Sequence, residues 1–279
     1  MTFFRRKAPK IGLALSGGAA KGLAHIGVLK ALGEAEIPID MVSGTSMGSV
    51  IGACYAKDGR ISLMEEVALN IGWQQVIRLL DPKLLFLGKG LIRGQQVETF
   101  LNALIGDVEF RDLKIPFAVV ATDVNTGQDV IIRQGSVIQS VRASISIPGI
   151  FVPVTYEGSC LVDGGLTNPV PADVLRDMGA KFVIAVNVIA EPAKSKHAAL
   201  HDESETAEIP NIFNTLLQSF YIMQYEIIRQ RMLKADVVIC PDVGHIEPYE
   251  FHRGEEAISA GYEAAREALP ELRKLINKR

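Results

Sequence analysis

Residues 40–50 read Asp-Met-Val-Ser-Gly-Thr-Ser-Met-Gly-Ser-Val, a short apolar strand that leads through a glycine-flanked serine into a helical run. The pattern Gly-x-Ser-x-Gly at this boundary places Ser46 on a sharp turn between strand and helix. Gly44 and Gly48 suit such a turn, because close packing of the strand against the helix leaves no room for side chains. The free N–H groups of the new helix favour negative charge at Ser46. The segment therefore predicts a nucleophilic serine; a glycine-rich connection with a capping serine is the alternative.

A second strand, turn and helix precede this segment. Ile11 to Leu15 is predicted as a strand, residues 17–22 read Gly-Gly-Ala-Ala-Lys-Gly, and a helix is predicted from Leu23 to Ala35. A glycine-rich turn with exposed amides in front of a helix binds an anion. That anion is either the phosphate of a nucleotide or the oxyanion of a tetrahedral intermediate.

The order of residues in this turn weakens both phosphate-binding alternatives. A Walker A loop has its lysine after the last glycine, whereas Lys21 precedes Gly22. A dinucleotide loop has glycine where Ala19 stands and an acid that closes the second strand, whereas Asp40 opens that strand. An oxyanion hole beside a nucleophilic serine accounts for both glycine-rich turns. Each donor in such a hole lowers the barrier by roughly 3 to 4 kcal/mol.

A nucleophilic serine needs a base, and the sequence offers two kinds. Asp163 begins an Asp-Gly-Gly sequence at the end of the apolar strand Cys160 to Val162. Its carboxylate is therefore expected at the carboxyl edge of the sheet. The alternative is that the motif is a simple turn. Alternatively, Ser46, Asp163 and either His245 or His252 follow the chain order of a Ser-Asp-His triad. Against the triad, the α/β-hydrolase fold reaches its nucleophile only after several strands, whereas Ser46 follows the second.

The rest of the chain predicts an α/β fold. Continuous apolar runs such as Phe182 to Val188 are typical of strands covered on both faces in a mostly parallel sheet flanked by helices. Thr126-Gly127 predicts one antiparallel hairpin within that sheet. We expect a core over residues 11–190, a flexible polar loop over 191–210, and C-terminal helices and a strand over 211–279 that pack on the core.

Residues 61–106 are expected to form a helical cap or lid on this core. Within them, residues 76–92 mix apolar side chains with Arg78, Lys83 and Lys89, a composition that suits contact with lipid headgroups. Ordinary packing of a cap over the core is the alternative.

Composition restricts the function and the location. The chain has 279 residues, 48% of them hydrophobic and 22% charged, which is typical of a globular protein. A net charge of −3 argues against a nucleic-acid partner. Three scattered cysteines without a CxxC pair predict reduced thiols and a cytoplasmic protein. Peripheral contact of this protein with the inner face of the membrane is a further hypothesis. The sequence predicts no particular oligomeric state.

Histidines at other positions are not expected to be functional. His25 is interpreted as a packing residue on the face of the first helix. His197 and His201 are spaced as one face of a helix, but they lie in the polar loop and lack the H-E-x-x-H pattern of a zinc site. We therefore expect no metal and no cofactor.

Three motifs in a fixed order resemble one family. Residues 17–22, 44–48 and 163–165, within a single α/β core, resemble the patatin-like phospholipase family and most nearly its bacterial members related to neuropathy target esterase. The segment Ala143 to Phe151 resembles the stretch that precedes the aspartate in this family. The resemblance implies a three-layer fold with a C-terminal helical extension. It also implies hydrolysis of lipid acyl esters, of phospholipase A or lysophospholipase type, by a Ser-Asp dyad.

The resemblance also implies a role for each motif residue. Ser46 corresponds to the nucleophile and Asp163 to the base, and the amides of Gly17, Gly18 and Ala19 correspond to the oxyanion hole. Supporting positions of the motifs are Lys21, Gly22, Gly44, Gly48, Gly164 and Gly165.

Ala19 departs from the family, whose loop usually has three consecutive glycines. If this position needs a left-handed backbone, alanine costs about 1 to 2 kcal/mol. An imperfect oxyanion hole would leave a weakly active or non-catalytic lipid- or acyl-binding protein on the same scaffold. A nucleotide-binding protein is the third hypothesis.

Overall fold

The structure of the protein, a computed structural model, describes residues 9–70, 95–189, 191 and 212–278. The strands within these ranges are β1 (Ile11–Leu15), β2 (Met41–Thr45), β3 (Phe117–Asp123), β4 (Asp129–Ile132), β5 (Val154–Tyr156), β6 (Ser159–Asp163), β7 (Phe182–Val186) and β8 (Val237–Ile239). The helices are α1 (Ala24–Glu34), α2 (Met47–Asp58), α3 (Ile61–Asn70), α4 (Gln95–Ile105), α5 (Val137–Ser144), α6 (Ala172–Asp177), α7 (Ile212–Arg231) and α8 (Gly254–Asn277).

These strands form one mixed sheet in the order β5-β6-β3-β2-β1-β7-β8, with β4 paired to β3. The strands from β3 through β2, β1 and β7 to β8 are mutually parallel, whereas β4, β5 and β6 join antiparallel. The prediction of a mostly parallel sheet is therefore confirmed. The hairpin predicted at Thr126-Gly127 joins β3 to β4, and Gly127 adopts the left-handed conformation (φ 69°) that such a turn requires.

The sheet separates two apolar layers, which makes the fold three-layered. Along β7, Phe182, Ile184 and Val186 pack into a large cluster with α1, α2 and α8, while Val183 and Ala185 pack toward α6 and α7. Successive side chains of a strand point to opposite faces, so a strand buried on both faces has to be apolar throughout. This explains the unbroken apolar run that the sequence shows here.

The register of β3 brings the ends of β2 and β6 together. Thr45, the last residue of β2, pairs with Val120, and Asp163, the last residue of β6, pairs with the adjacent Ala121. The sequence-based expectation rested on the rule for open parallel sheets, but β6 runs antiparallel to β3. Asp163 therefore reaches the carboxyl end of β2 from the opposite direction.

Helices α1 and α8 pack against each other through two glycines. A side chain at Gly27 would overlap the carbonyl of Ile258, and one at Gly261 would overlap the carbonyl of Ala24. The backbones of the two helices are thus in direct contact, as small residues at a helix crossing allow. This contact attaches the C-terminal extension to the first helix of the chain.

Two of the sequence-based expectations fall largely outside the described residues. Of the predicted loop over 191–210, only Glu191 is described, and the predicted lipid-contacting stretch 76–92 is not described. The described parts of 61–106 include α3, which contacts α1 and α8, and α4, which contacts α2 and α5. In the described ranges, every helix is too short or too polar to cross a bilayer.

We predict that Gly27→Ala destabilises the protein by about 1 to 3 kcal/mol, because the new methyl group forces α1 and α8 apart. The matched control is Gly33→Ala on the same helix, where a methyl group would only touch the side chain of Ile61 at 3.5 Å. Replacing an unhindered helical glycine by alanine is neutral or stabilising by up to about 1 kcal/mol. Urea denaturation of both variants measures the difference; equal midpoints would contradict the close helix crossing.

Candidate active site

Ser46 occupies the turn between β2 and α2. Its backbone angles, φ 52° and ψ −124°, lie in a region that residues other than glycine rarely adopt. A side chain at Gly44 would overlap the backbone of Gly48, and one at Gly48 would overlap the carbonyls of Leu15 and Ser16. The two glycines therefore let α2 begin directly against the sheet, with Ser46 at the tip of the turn.

The hydroxyl of Ser46 is hydrogen-bonded to Asp163. Ser46 Oγ donates to Asp163 Oδ2 at 2.6 Å, and the backbone N–H of Gly165 donates to the other carboxylate oxygen, Oδ1, at 2.8 Å. Asp163 is fully buried and Ser46 is 7% exposed. Residues 117 positions apart thus form a direct hydroxyl–carboxylate pair with little access to water.

Burial raises the pKa of the Asp163 carboxyl to about 7, because a charge is poorly solvated at this position. The hydrogen bonds from Ser46 and Gly165 stabilise the ionised form and limit the rise. A carboxyl group with this pKa is partly ionised at neutral pH and is a far better proton acceptor than an exposed aspartate. The pair therefore has the chemistry of a nucleophile with its general base.

The glycine-rich loop before α1 lies beside Ser46, where a side chain at Gly17 would touch the Cβ of Ser46 at 3.4 Å. The N–H of Gly17 donates to the carbonyl of Pro169 at 3.1 Å. This corrects the expectation that all three amides of the loop are free. In the part of the chain that the structure describes, the N–H groups of Gly18 and Ala19 have no acceptor. These two amides are the available anion donors of the loop.

Ala19 does adopt the left-handed conformation that is costly for alanine, with φ 48°. Gly18, just before it, has φ 145°. The strained turn is held by its neighbours, because the N–H of Ala20 donates to the carbonyl of Pro248 and the N–H of Lys21 donates to that of Gly18, each at 3.1 Å. The loop is therefore formed in spite of the alanine.

The three histidines within the described residues, His25, His245 and His252, do not take part in the Ser46 pair. His245 Nε2 lies 2.6 Å from Glu256 Oε1, and His252 is exposed. His25 is fully buried, as its interpretation as a packing residue requires, and its Nε2 lies 2.8 Å from the carbonyl of Ser16. Burial lowers the pKa of His25 to about 4, so the ring is neutral and donates to that carbonyl. Because Ser46 Oγ donates directly to the carboxylate, the triad alternative has no geometric support.

The remaining motif residues support the loop and the pair. Lys21 is largely buried, its Nζ donates to the carbonyl of Gly244 at 3.4 Å, and burial lowers its pKa. Gly22 lies against the side chain of Met47, and Gly164 lies against the backbone of Val120.

Helix α7 also contributes to the site, which the sequence did not reveal. Gln224 is 2% exposed and its amide packs directly against the Cα of Gly165. On the preceding turn of the helix, burial raises the pKa of Tyr221, and the charge of Asp163 raises it further, so the phenol stays protonated. The helical period of this stretch indicates packing, but it does not show which element the helix covers.

An apolar cavity opens beside Ser46. One wall is the face of α2 that begins next to Ser46, and the described lining is aliphatic or aromatic apart from Ser46 and Cys54. Burial raises the pKa of the Cys54 thiol to about 12, because a thiolate is poorly solvated among apolar side chains. The lining includes Met47, Val50, Ile51 and Cys54 of α2, and Ile145 and Phe151 from the segment after α5.

We predict that Ala19→Gly stabilises the protein by about 0.5 to 1 kcal/mol. Glycine removes about 1 to 2 kcal/mol of left-handed strain, while its greater freedom in the unfolded chain offsets part of the gain. The control is Ala20→Gly, one position later in the short 3₁₀ turn, where no positive φ is relieved and stability should fall. Urea midpoints of the two variants should move in opposite directions; a fall for Ala19→Gly would contradict the strain.

Comparison with known proteins identifies the family of the chain. Residues 13–176 match the family profile described as patatin-like phospholipase. An uncharacterized NTE family protein of Mycobacterium tuberculosis is 35% identical over 181 residues, which are 65% of this chain and 49% of that protein. Human patatin-like phospholipase domain-containing protein 6 is 38% identical over 183 residues, 64% of this chain and 13% of that protein. The chain thus spans about half the length, or less, of these curated relatives.

The fold has a counterpart among solved structures. The crystal structure of VipD from Legionella pneumophila superposes with a TM-score of 0.56 at 15% identity, covering 95% of this chain and 67% of that one. At this identity the likeness concerns the fold alone. The profile match covers more than half of the sequence and includes all three motifs. The chain therefore belongs to the patatin-like phospholipase family.

Proposed function

We propose that this chain is a serine carboxylic ester hydrolase that cleaves acyl esters of lipids through Ser46 and Asp163. The observation that carries the proposal is the 2.6 Å hydrogen bond from Ser46 Oγ to a buried carboxylate with a pKa of about 7. The family, and relatives whose names include a phospholipase domain and neuropathy target esterase, support the same reaction. The apolar cavity beside Ser46 suits the acyl part of such a substrate.

The chemistry follows from the positions of these groups. Ser46 Oγ attacks the ester carbonyl carbon while its proton passes to Asp163 Oδ2. The tetrahedral oxyanion accepts hydrogen bonds from the amides of Gly18 and Ala19. Collapse breaks the bond to the alcohol, which leaves with the proton returned by Asp163. A water molecule then gives a proton to Asp163 while its oxygen attacks the acyl carbon. The bond between that carbon and Ser46 Oγ breaks, Oγ takes the proton back from Asp163, and the fatty acid leaves.

The acyl cavity is compatible with either a phospholipase A or a lysophospholipase, because both substrates present one acyl ester to the nucleophile. The proposed location is the cytoplasm, with transient contact at the inner membrane face where lipid esters are found. Free thiols are expected there, and in the described part of the chain Cys54 and Cys160 are free thiols.

A non-catalytic acyl-binding protein is the second candidate, and the strained Ala19 is the observation that favours it. The two functions differ in the reactivity of Ser46. A fluorophosphonate labels only an activated serine, so labelling of wild-type protein that is absent in Ser46→Ala supports the hydrolase. An unlabelled wild-type protein that still binds fatty acid would support the binding protein.

We predict that Ser46→Ala and Asp163→Asn each lower kcat/KM for p-nitrophenyl butyrate by more than about 10³-fold. In the wild type, kcat/KM should rise with pH and level off above about 7, because only ionised Asp163 accepts the proton. Asp177→Asn, an exposed carboxylate on α6, is the matched control and should retain full activity.

Replacing both His245 and His252 by Gln should also leave the rate unchanged. A large loss in that double variant would instead support a triad. An active Ser46→Ala protein would refute the proposed nucleophile.

We further predict that Cys54→Phe shortens the preferred acyl chain. Cys54 lies two turns beyond Ser46 on α2, about 12 Å along the helix axis, and lines the cavity. Phenylalanine should lower kcat/KM for p-nitrophenyl decanoate about tenfold or more and leave the acetate ester unaffected. Cys54→Ser, which keeps the volume, is the control. An equal loss on both esters would show that the chain does not enter this cavity.

A further inference from the structure

The end of helix α5 makes hydrogen bonds to the backbone of both members of the catalytic pair. The N–H of Ser46 donates to Ser144 Oγ at 2.8 Å, and the N–H of Asp163 donates to the carbonyl of Ser146 at 2.9 Å. Ser144 and Ser146 are both fully buried. Two residues of one short segment, Ser144 and Ser146, therefore hold two residues that lie far apart in the sequence.

The hydroxyl of Ser144 has a fixed orientation. It donates its only proton to the carbonyl of Val120 at 2.6 Å, so a lone pair must face the N–H of Ser46. Val120 belongs to β3, the strand that pairs with both β2 and β6. Ser144 thus connects the peptide N–H of Ser46 to β3, the strand whose pairing aligns the ends of β2 and β6.

The backbone of Ser46 needs such a support. Its φ of 52° and ψ of −124° are unfavourable for a serine and persist only when the surroundings hold them. The direction of the Ser46 N–H fixes the rotation of that peptide group and therefore the direction in which the side chain leaves the backbone. Without the acceptor, a buried N–H would also remain unpaired, which favours rotation of the peptide toward another partner.

The segment that carries Ser144 is itself held firmly. The guanidinium of buried Arg142 donates to Ser146 Oγ at 2.6 Å and to the carbonyl of Val152 at 3.1 Å. Between the two serines, Ile145 lines the apolar cavity. These three consecutive residues thus meet the nucleophile, the base and the proposed acyl cavity.

We infer that Ser144 is a positioning residue for the reaction: its hydroxyl, bridging Val120 and the N–H of Ser46, keeps Ser46 Oγ in line with Asp163. The inference rests on the proposed hydrolase function. Ser144 has no direct contact with substrate in this role, so its removal should affect the chemical step more than substrate binding.

The test compares Ser144→Ala with Ser140→Ala. Ser140 is a fully buried serine on the same helix whose hydroxyl donates only to the carbonyl of Ser136, so its loss removes a similar group away from the pair. Ser144→Ala should lower kcat for p-nitrophenyl butyrate about 10- to 100-fold with little change in KM, because a misplaced nucleophile reacts slowly. Labelling of Ser46 by fluorophosphonate should slow by the same factor.

The pH profile supplies a readout that a general loss of stability would not change. When Ser46 Oγ no longer donates to Asp163, the ionised carboxylate loses a stabilising hydrogen bond, so the rise of kcat/KM should move to higher pH. Ser140→Ala should keep the wild-type profile and kcat. Ser144→Thr, which retains the hydroxyl, should restore part of the rate.

Urea midpoints establish that each variant is folded. If Ser144→Ala does not fold, Ser144→Cys, which keeps the volume but bonds weakly, takes its place with the same expected changes. Wild-type kcat, labelling rate and pH profile in the folded variant would overturn the inference, as would the same kcat loss in Ser140→Ala. A wild-type protein that neither hydrolyses esters nor reacts with fluorophosphonate would instead refute the proposed function.

Discussion

One buried contact, between the hydroxyl of Ser46 and the carboxylate of Asp163, sets the requirements for the surrounding structure. A carboxylate out of water is tolerated only where its oxygens are hydrogen-bonded, and here one is satisfied by Ser46 and the other by the N–H of Gly165. The strained turn, the glycines that let α2 approach the sheet, and the adjacent pairing of Val120 and Ala121 all bring these groups to bonding distance. The pairing of β3 with β2 and β6 thus fixes the relative positions of Ser46 and Asp163.

Local patterns were sufficient to predict much of this arrangement. The apolar run of β7 indicated a buried parallel strand, Thr126-Gly127 indicated the hairpin, and Gly44 and Gly48 around a serine indicated the tight turn. The direction of β6 was not predictable, because alternation of side chains is the same in parallel and antiparallel strands. The three-residue strand β5 is too short to show any period.

Within the site, the motif residues could be predicted from the sequence. The residues outside the motifs that contact them could not. Which amides of the glycine loop stay free depends on the carbonyl of Pro169, more than 150 positions from Gly17. The contribution of Ser144 was hidden for the same reason, because a serine at the end of a helix gives no sign of the distant N–H that it accepts. Gln224 likewise looks like an ordinary helical residue until the packing of α7 is known. Burial of Asp163 also costs stability. The Asp163 pKa of about 7 exceeds its unfolded value near 3.8, so this group's contribution to stability declines as pH rises between those values.

The glycine loop depends on residues that the ribosome adds much later than the loop itself. Its shape depends on a hydrogen bond from Ala20 to the carbonyl of Pro248, and Lys21 also reaches Gly244, so the loop is completed by a segment more than 220 positions later in the sequence. At about 5 to 20 residues per second, a ribosome needs roughly 10 to 45 seconds to synthesise the stretch between them. A nascent chain therefore carries Ser46 and Asp163 for many seconds before the segment that completes the loop has been synthesised.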